Sequence, residues 1–551
     1  MTAALPHLIV VPVVLPLVTA AVLLLLGDHR RRLKSLLNVS ATAAGLVVAT
    51  TILLRVDGTG EIGVYLASNW EAPFGIVLVA DRLTALMLVL TGVLSLCAAL
   101  YAEAAWSRAG VYFHPLFQIQ LMGLNGAFLT GDLFNLFVFF EVMLAASYGL
   151  HLHGSGWPRV RSGVHYIAVN LLASALFLIG LAVLYGVVGT LNMADMAAKL
   201  ALVPTHDRGL LVAGAAILAV AFLVKAAMWP LNAWLVPAYT AASAPVAALF
   251  AVMTKVGIYA LLRLSTVFFQ IDEGSSVHYG KTVLLYGGLA TIGFGAVGCL
   301  TSVRLDRLAG FAIIVSSGTL LAAFGLDSPA MTAAALFYLP SATLAVSVLF
   351  LLVELIERIG KEGRPVLDDV DVSDEDTNLD DQQVPLIGRA FPVSVALLSL
   401  AFMACALLVA GLPPLSGFVA KLALLTAALG RGGDVPATGW IVVGLLLLSG
   451  FAATFSLARA GIRHLWARGN LSAPQVRGAE AGAVATLLAT SVLLTVFAEP
   501  VMRYTRATAA GVHAQLQYIE TVRSTPARPR PGTPAIDADR PDGPDGPEER
   551  P

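Results

Sequence analysis

Long apolar runs recur along the whole chain and limit what it can fold into. Hydrophobic residues make up 58% of its 551 residues and charged residues only 13%, and the mean hydropathy is +0.81, which excludes an ordinary soluble globular protein. A helix of about 20 apolar residues can cross a bilayer. We therefore predict an all-α polytopic membrane protein with about fourteen transmembrane helices, near residues 6–26, 35–55, 79–102, 114–131, 132–151, 163–187, 209–236, 243–268, 281–302, 308–326, 331–356, 389–428, 438–460 and 481–503.

The basic residues of the short loops predict how these spans are oriented. Lysine and arginine concentrate in the cytoplasmic loops of membrane proteins. If the N-terminus is external, segments 28–34, 158–161 and 304–307 and the other basic loops fall on the cytoplasmic side. Both termini are then predicted to be external. The formal net charge of -1 gives no reason to expect nucleic acid as a partner.

Four charged residues lie inside the predicted spans, away from the ends of those spans. Glu141 lies about midway along the span that contains "GDLFNLFVFFEVMLAASYGL", and Lys225, Lys255 and Lys421 lie in three other spans. A charged group at this depth is costly and must face protein or water, so each residue marks a candidate functional site. The alternative is a structural ion pair or a lysine that reaches the interface. Lys255 is too far from the membrane interface for its side chain to reach it easily, because Pro245 and Arg263 mark the limits of its span and place Lys255 near the middle.

Helix breaks lie beside two of these lysines. Pro230 follows Lys225 by five residues, and Pro413 and Pro414 precede Lys421. Proline removes a helical hydrogen bond and clashes with the preceding turn, which a bilayer tolerates only where protein or water satisfies the freed carbonyls. The breaks fall in the seventh and twelfth spans. We therefore predict two inverted five-helix repeats, spans 4–8 and 9–13, each with one broken helix.

The sequence around these residues resembles a known family. Over roughly residues 75–460, this chain resembles the proton-translocating antiporter-like subunits that respiratory complex I, membrane-bound hydrogenases and Mrp-type multisubunit Na+/H+ antiporters share. Within this family it most resembles the D-type subunits of the Mrp antiporters. The segments that carry the resemblance are "DLFNLFVFFEVMLAASYGL", "LYGVVGTLNMADM", "KAAMWPLNAWLVPAYTAASAPVAALFAVMTKVGIYALLR" and "AGLPPLSGFVAKL".

The resemblance implies roles for the charged residues. Glu141, Lys225, Lys255 and Lys421 correspond to the family's glutamate of span five and its lysines of spans seven, eight and twelve. Burial moves a carboxylic acid and an amine toward neutrality, so both residue types can exchange protons. We predict a proton relay at the membrane midplane, with waters bridging the gaps. Glu141 is its switch acid, because its protonation depends on whether Lys225 is charged.

Four further residues are weaker relay candidates. Asn232 stands where the family often has histidine after the span-seven proline, and Ser341 and Thr343 stand in span eleven, where a histidine is usual. A hydroxyl can pass a proton along a hydrogen-bonded chain but cannot hold a charge near neutral pH. His165 is a candidate for proton uptake.

These features predict a subunit of a multisubunit Na+/H+ antiporter in the cell membrane of a prokaryote. Its partners are then other membrane subunits, the lipid bilayer, protons and Na+. Two alternatives remain: a membrane subunit of a complex I-type oxidoreductase or membrane-bound hydrogenase, and a single-chain solute transporter. The sequence shows no redox-cofactor motif, so no cofactor is predicted and no metal site is assigned.

The same features divide the chain into five predicted segments. They are the N-terminal helices (1–113), the first repeat (114–268), the second repeat with a cytoplasmic linker at 357–389 (269–460), a C-terminal helix with its flank (461–522) and a disordered tail (523–551).

Overall fold

The computed structural model describes residues 5–27, 29–268, 275–362, 392–430, 436–466 and 475–527. Most of the predicted linker, 363–389, and most of the predicted tail, 528–551, lie outside the described residues. Residues 357–362, at the start of the predicted linker, continue a long helix.

The first half of the described chain contains ten α-helices, two three-residue 3₁₀ helices and one small hairpin. The helices are α1 (Leu5–Leu25), α2 (Arg31–Thr59), α3 (Arg82–Ala102), α4 (Phe113–Leu129), α5 (Leu133–Leu152), α6 (Trp157–Val188), α7 (Met193–Leu200), α8 (Arg208–Lys225), α9 (Leu235–Ala241) and α10 (Ala244–Phe268). Strands β1 (Gly63–Leu66) and β2 (Val77–Ala80) pair antiparallel, with Gly63 opposite Ala80.

The second half contains nine α-helices and one π-helical turn (Ile462–Trp466) among its described residues, joined by short connecting segments. Its helices are α11 (Ser275–Thr301), α12 (Leu305–Gly325), α13 (Pro329–Glu362), α14 (Val393–Ala410), α15 (Ser416–Leu429), α16 (Ala437–Gly461), α17 (Gly478–Val496), α18 (Ala498–His513) and α19 (Gln515–Ser524).

The predicted membrane architecture is confirmed. Thirteen of the described helices are long and apolar enough to cross a membrane. The predicted fourth span is the 17-residue helix α4, which is shorter and carries Gln118, Gln120 and Asn125. Predicted spans seven (209–236) and twelve (389–428) are each two helices, α8 with α9 and α14 with α15.

The break after α8 is stabilised by neighbouring side chains. Pro230 lies between the end of α8 and the start of α9. The Trp234 indole donates to the Val224 carbonyl at 3.2 Å, and the Trp229 backbone N–H donates to Thr291 Oγ1 at 2.9 Å. Polar groups freed by the break are therefore met by protein, as a bilayer requires.

The break after α14 depends on a glycine. Gly411 has a φ of 76° and closes the helix by donating its N–H to the Leu407 carbonyl at 2.9 Å. Only glycine adopts this left-handed conformation readily. A Cβ at this position would also collide with the methylene chain of Lys421. Pro413 and Pro414 follow in the segment between α14 and α15.

Helices α10 and α13 form the centre of the bundle. The apolar membrane windows within Ala244–Ser265 of α10 and Pro329–Ile359 of α13 are entirely buried. α10 packs against α3, α8, α12 and α13, so it joins the first half of the chain to the second. It carries Lys255.

The basic loops gather on one face of the bundle, here called the basic face. Arg459, near the end of α16, donates to the carbonyls of Leu300 and Ser302 at 2.8 Å, where α11 ends. Arg358 of α13 forms an ion pair with Glu480 of α17 at 2.8 Å. These contacts bring helix ends from distant parts of the sequence to the same side.

The hairpin and the C-terminal helices lie on the opposite face. The predicted fourteenth span, 481–503, ends earlier than expected, because α17 stops at Val496 and the charged, amphipathic α18 follows. α19 packs Tyr518 and Val522 against the hairpin residues Val77 and Val79.

Candidate functional site

Lys225 is the last residue of α8 and lies at the helix break. Its side chain is 5% exposed, and its Nζ donates to Asn170 Oδ1 of α6 at 3.0 Å. Asn170 is held in place because its amide nitrogen donates to the Tyr166 carbonyl at 2.8 Å. The direct partner of this lysine is therefore a neutral amide oxygen.

Glu141 lies near Lys225 without a direct bond to it. The two side chains attract each other electrostatically, but they form no ion pair within 4.0 Å among the described residues. Glu141 Oε1 is buried and has no hydrogen-bond partner in the described part of the chain. Phe134 and Val138, which share its side of α5, are exposed. The acid thus lies at the edge of the bundle.

Lys255 is 1% exposed and lies in the middle of α10. Its Nζ donates to Ser316 Oγ of α12 at 2.9 Å. Tyr338 of α13 lies beside Ser316. The acceptor of the central lysine is therefore also neutral.

A small cavity connects the surroundings of Lys255 with Lys421. It has a volume of about 30 Å³ and is lined by Ser316, Tyr338, Ser341, Lys421 and Ser449, among others. This is enough space for a water molecule, and the lining supplies several polar partners. Ser341 Oγ also lies 3.0 Å from Ser416 Oγ of α15.

Lys421 lies on α15 and reaches back across the second helix break. Its Nζ donates to the carbonyl of Ala410, the last residue of α14, at 2.6 Å. The C-terminal end of a helix carries partial negative charge, which favours a cation at this position. Lys225 occupies the corresponding place, at the C-terminal end of α8.

The weaker candidates are distributed differently. Ser341 lines the cavity, whereas Thr343 donates to the Leu339 carbonyl of its own helix at 2.6 Å. Asn232 is buried, its Nδ2 has no hydrogen-bond partner among the described residues, and it lines an opening on the basic face with Arg161 and Arg304. His165 is exposed on the outside of α6. Of these four, only Ser341 adjoins the lysines through the cavity.

The sequence predictions did not identify Asn170 and Ser316. Both are neutral polar residues within apolar helices, in "YIAVNLLAS" and "IIVSSGTLL". The signal that could have found them is that a polar side chain at membrane depth needs a partner, and a buried lysine is a suitable one.

Comparison with known proteins identifies the family. A family model described as "NADH:quinone oxidoreductase/Mrp antiporter, TM" matches residues 130–449, more than half of the chain. The chain belongs to this family. The matched range includes Glu141 and the three lysines.

Relatives in this family match the chain over almost its whole length. The D subunit of a probable K(+)/H(+) antiporter from Rhizobium meliloti (strain 1021) is 50% identical over 539 residues, which are 96% of this chain and 99% of the relative. The D subunit of the Na(+)/H(+) antiporter from Alkalihalophilus pseudofirmus is 33% identical over 94% of this chain and 99% of its own length. The predicted resemblance to the D-type subunits of Mrp antiporters is confirmed.

Solved structures show the same architecture. A chain of the Mrp complex from Dietzia sp. DQ12-45-1b matches with a TM-score of 0.80 and 26% identity, over 94% of this chain and 99% of that one. A chain of respiratory complex I from Thermus thermophilus with bound NADH matches in fold, with a TM-score of 0.73 and 22% identity, over 94% of this chain and 100% of that one. Homologues of this protein are thus subunits of multisubunit membrane complexes.

Proposed function

We propose that this chain is the proton-translocating subunit of a multisubunit monovalent cation/proton antiporter in a prokaryotic cell membrane. Protons move along a relay that contains Glu141, Lys225, Lys255 and Lys421. The names of the full-length relatives support exchange of protons for K+ or Na+.

One observation carries the proposal: the two buried lysines and the half-buried Lys421 are all held by neutral oxygens. Their acceptors are an amide of Asn170, a hydroxyl of Ser316 and the carbonyl of Ala410. A structural ion pair would place a carboxylate against the amine, and removing the proton would then strand a buried charge. With a neutral acceptor, each amine can lose its proton without leaving an uncompensated anion.

Asn170 and Glu141 make the first step switchable. Lys225 rests on Asn170, while Glu141 attracts it from beyond direct contact. A charged Lys225 favours the ionised form of Glu141. When Lys225 passes its proton on, this attraction disappears and Glu141 takes up a proton more readily. Proton movement at the lysine is thereby coupled to protonation of the acid.

Hydroxyl groups and water continue the relay in the second half of the chain. Ser316 contacts Lys255 and lines the cavity that reaches Lys421. Hydroxyls can accept one hydrogen bond while donating another, so Ser316, Ser341 and a water in the cavity can form a continuous chain. This arrangement requires no histidine in α13.

Two inverted repeats account for the matching positions of Lys225 and Lys421. The amine of Lys225, on α8, and the amine of Lys421, which reaches back from α15, both lie at the C-terminal end of the first half of a broken helix, α8 or α14. The proposal places the basic face in the cytoplasm, in accordance with the positive-inside rule. Both termini are then external.

The central lysine provides the test. We expect Lys255→Ala to abolish K+- and Na+-dependent proton movement in everted vesicles, because the gap between Lys225 and the cavity then has no titratable group. Lys281→Ala is the matched control, since Lys281 forms an ion pair with Asp327 at 2.5 Å, away from the relay. Exchange should be measured per assembled complex. Unchanged exchange in Lys255→Ala would refute the relay.

A further inference from the structure

A second pocket opens on the basic face, at the N-terminal end of the bundle. It has a volume of about 410 Å³ and lies between the start of α2, the loop after α3 and the start of α4. Its lining includes Arg31, Arg32, Lys34, Glu103, Arg108 and His114. None of these residues belongs to the proposed relay.

The charge of this pocket favours an anion. Four basic side chains face one acid, Glu103, so the formal charge of the lining is positive. Arg31, Arg32 and Arg108 are exposed enough to reach a ligand. Guanidinium groups bind phosphate oxygens through two parallel hydrogen bonds, which makes arginine well suited to phosphate recognition.

The inner end of the pocket has an unsatisfied polar group. His114 is 4% exposed, and its Nδ1 has no hydrogen-bond partner among the described residues. Buried polar atoms are normally paired, so an atom left over at the end of an open pocket indicates a missing partner.

An apolar stripe begins at the same pocket and runs along α2. Leu36, which lines the pocket, is 65% exposed, and Val47 and Leu54 are 66% and 65% exposed on the same side of the helix. Tyr112 is exposed beside the pocket, as is typical of aromatic residues at the membrane interface. A ligand that fits both features has an anionic head and a hydrocarbon chain.

We propose that this pocket binds the phosphate headgroup of an anionic phospholipid. The phosphate lies between Arg31, Arg32 and Arg108, and an acyl chain follows the exposed side of α2. Basic pockets between membrane helices on the cytoplasmic side commonly hold such headgroups. A free phosphate would use the arginines but not the apolar stripe.

The test uses the chain purified with its companion subunits. The delipidated complex is titrated with phosphatidylglycerol, cardiolipin, phosphatidylcholine or inorganic phosphate, and bound lipid is counted by native mass spectrometry. We expect tight binding of the two anionic lipids only. Arg31→Ala/Arg32→Ala should weaken it by about tenfold or more. The control, Arg503→Ala/Arg506→Ala, removes the same charge from exposed positions on α18 and should leave binding unchanged.

A third variant separates the two sources of phosphate. Leu36→Ser should weaken binding of phosphatidylglycerol but not of inorganic phosphate. The proposal would be overturned if Arg31→Ala/Arg32→Ala and the control Arg503→Ala/Arg506→Ala lost bound lipid to the same extent, or if neither variant lost any. The proposal would also be overturned if inorganic phosphate displaced the lipid and bound as tightly as the lipid does, because the pocket would then be a site for the free anion.

Discussion

At the scale of single residues, Asn170 decides where the Lys225 amine rests. It offers a neutral acceptor at 3.0 Å and is itself fixed by the Tyr166 carbonyl. We expect Asn170→Leu to release the amine toward Glu141 and to stabilise a direct ion pair that holds the proton. A hydrogen bond to a charged group contributes roughly 1.5–3 kcal/mol, so exchange should fall by about tenfold or more.

The matched control for this prediction is Ser174→Ala. Ser174 lies one turn further along α6 and is also buried, so both substitutions remove a polar group from the same helix. Exchange is measured in everted vesicles at equal amounts of assembled complex. Equal rates for Asn170→Leu and the parental protein would mean that Asn170 has only a packing role.

At the scale of elements, the helix break holds Lys225 in its place at the end of α8. Pro230 prevents the helix from continuing, while Trp234 and Thr291 satisfy the groups that the break frees. We expect Pro230→Ala to favour a continuous helix, which moves Lys225 away from Asn170. The complex should still assemble, but exchange should fall several-fold.

Pro204→Ala serves as the comparison, because Pro204 is exposed in the segment before α8. The measurement is the same vesicle assay together with a blot for assembled complex. If Pro230→Ala exchanges ions like Pro204→Ala, the break has no role beyond packing.

Much of this arrangement could be predicted from the sequence, because its signals are strong in an apolar chain. A charged residue within a long apolar run, and a proline near it, can be recognised without knowing which helices pack together. These two signals identified Lys225 and Lys421 and the helix breaks beside them. The acceptors of the lysines could not be found in this way. Asn170 and Ser316 are neutral, and their meaning depends on which helices pack together. The early end of α17 was also missed, although Glu499 and Pro500 mark it.

At the scale of the whole molecule, the proposed relay has an open end. Glu141 lies on a side of α5 where Phe134 and Val138 are exposed, and the homologues are subunits of larger membrane complexes. We expect the purified complex to contain small hydrophobic subunits and no flavin or iron-sulfur protein. Subunit composition by mass spectrometry and an absorption spectrum check this. Copurification of a redox arm would instead favour a complex I-type oxidoreductase.

The most direct test of the account is the substitution Glu141→Gln. It keeps the size and hydrogen-bonding capacity of the side chain but removes its titration. We predict that the Glu141→Gln complex assembles in parental amounts and loses cation-dependent proton movement. Glu141→Asp should retain part of this proton movement. The control Glu499→Gln, which changes an exposed acid on α18, should retain all of it. The rate of exchange per assembled complex is the measurement. A parental rate in Glu141→Gln would contradict the proposed relay.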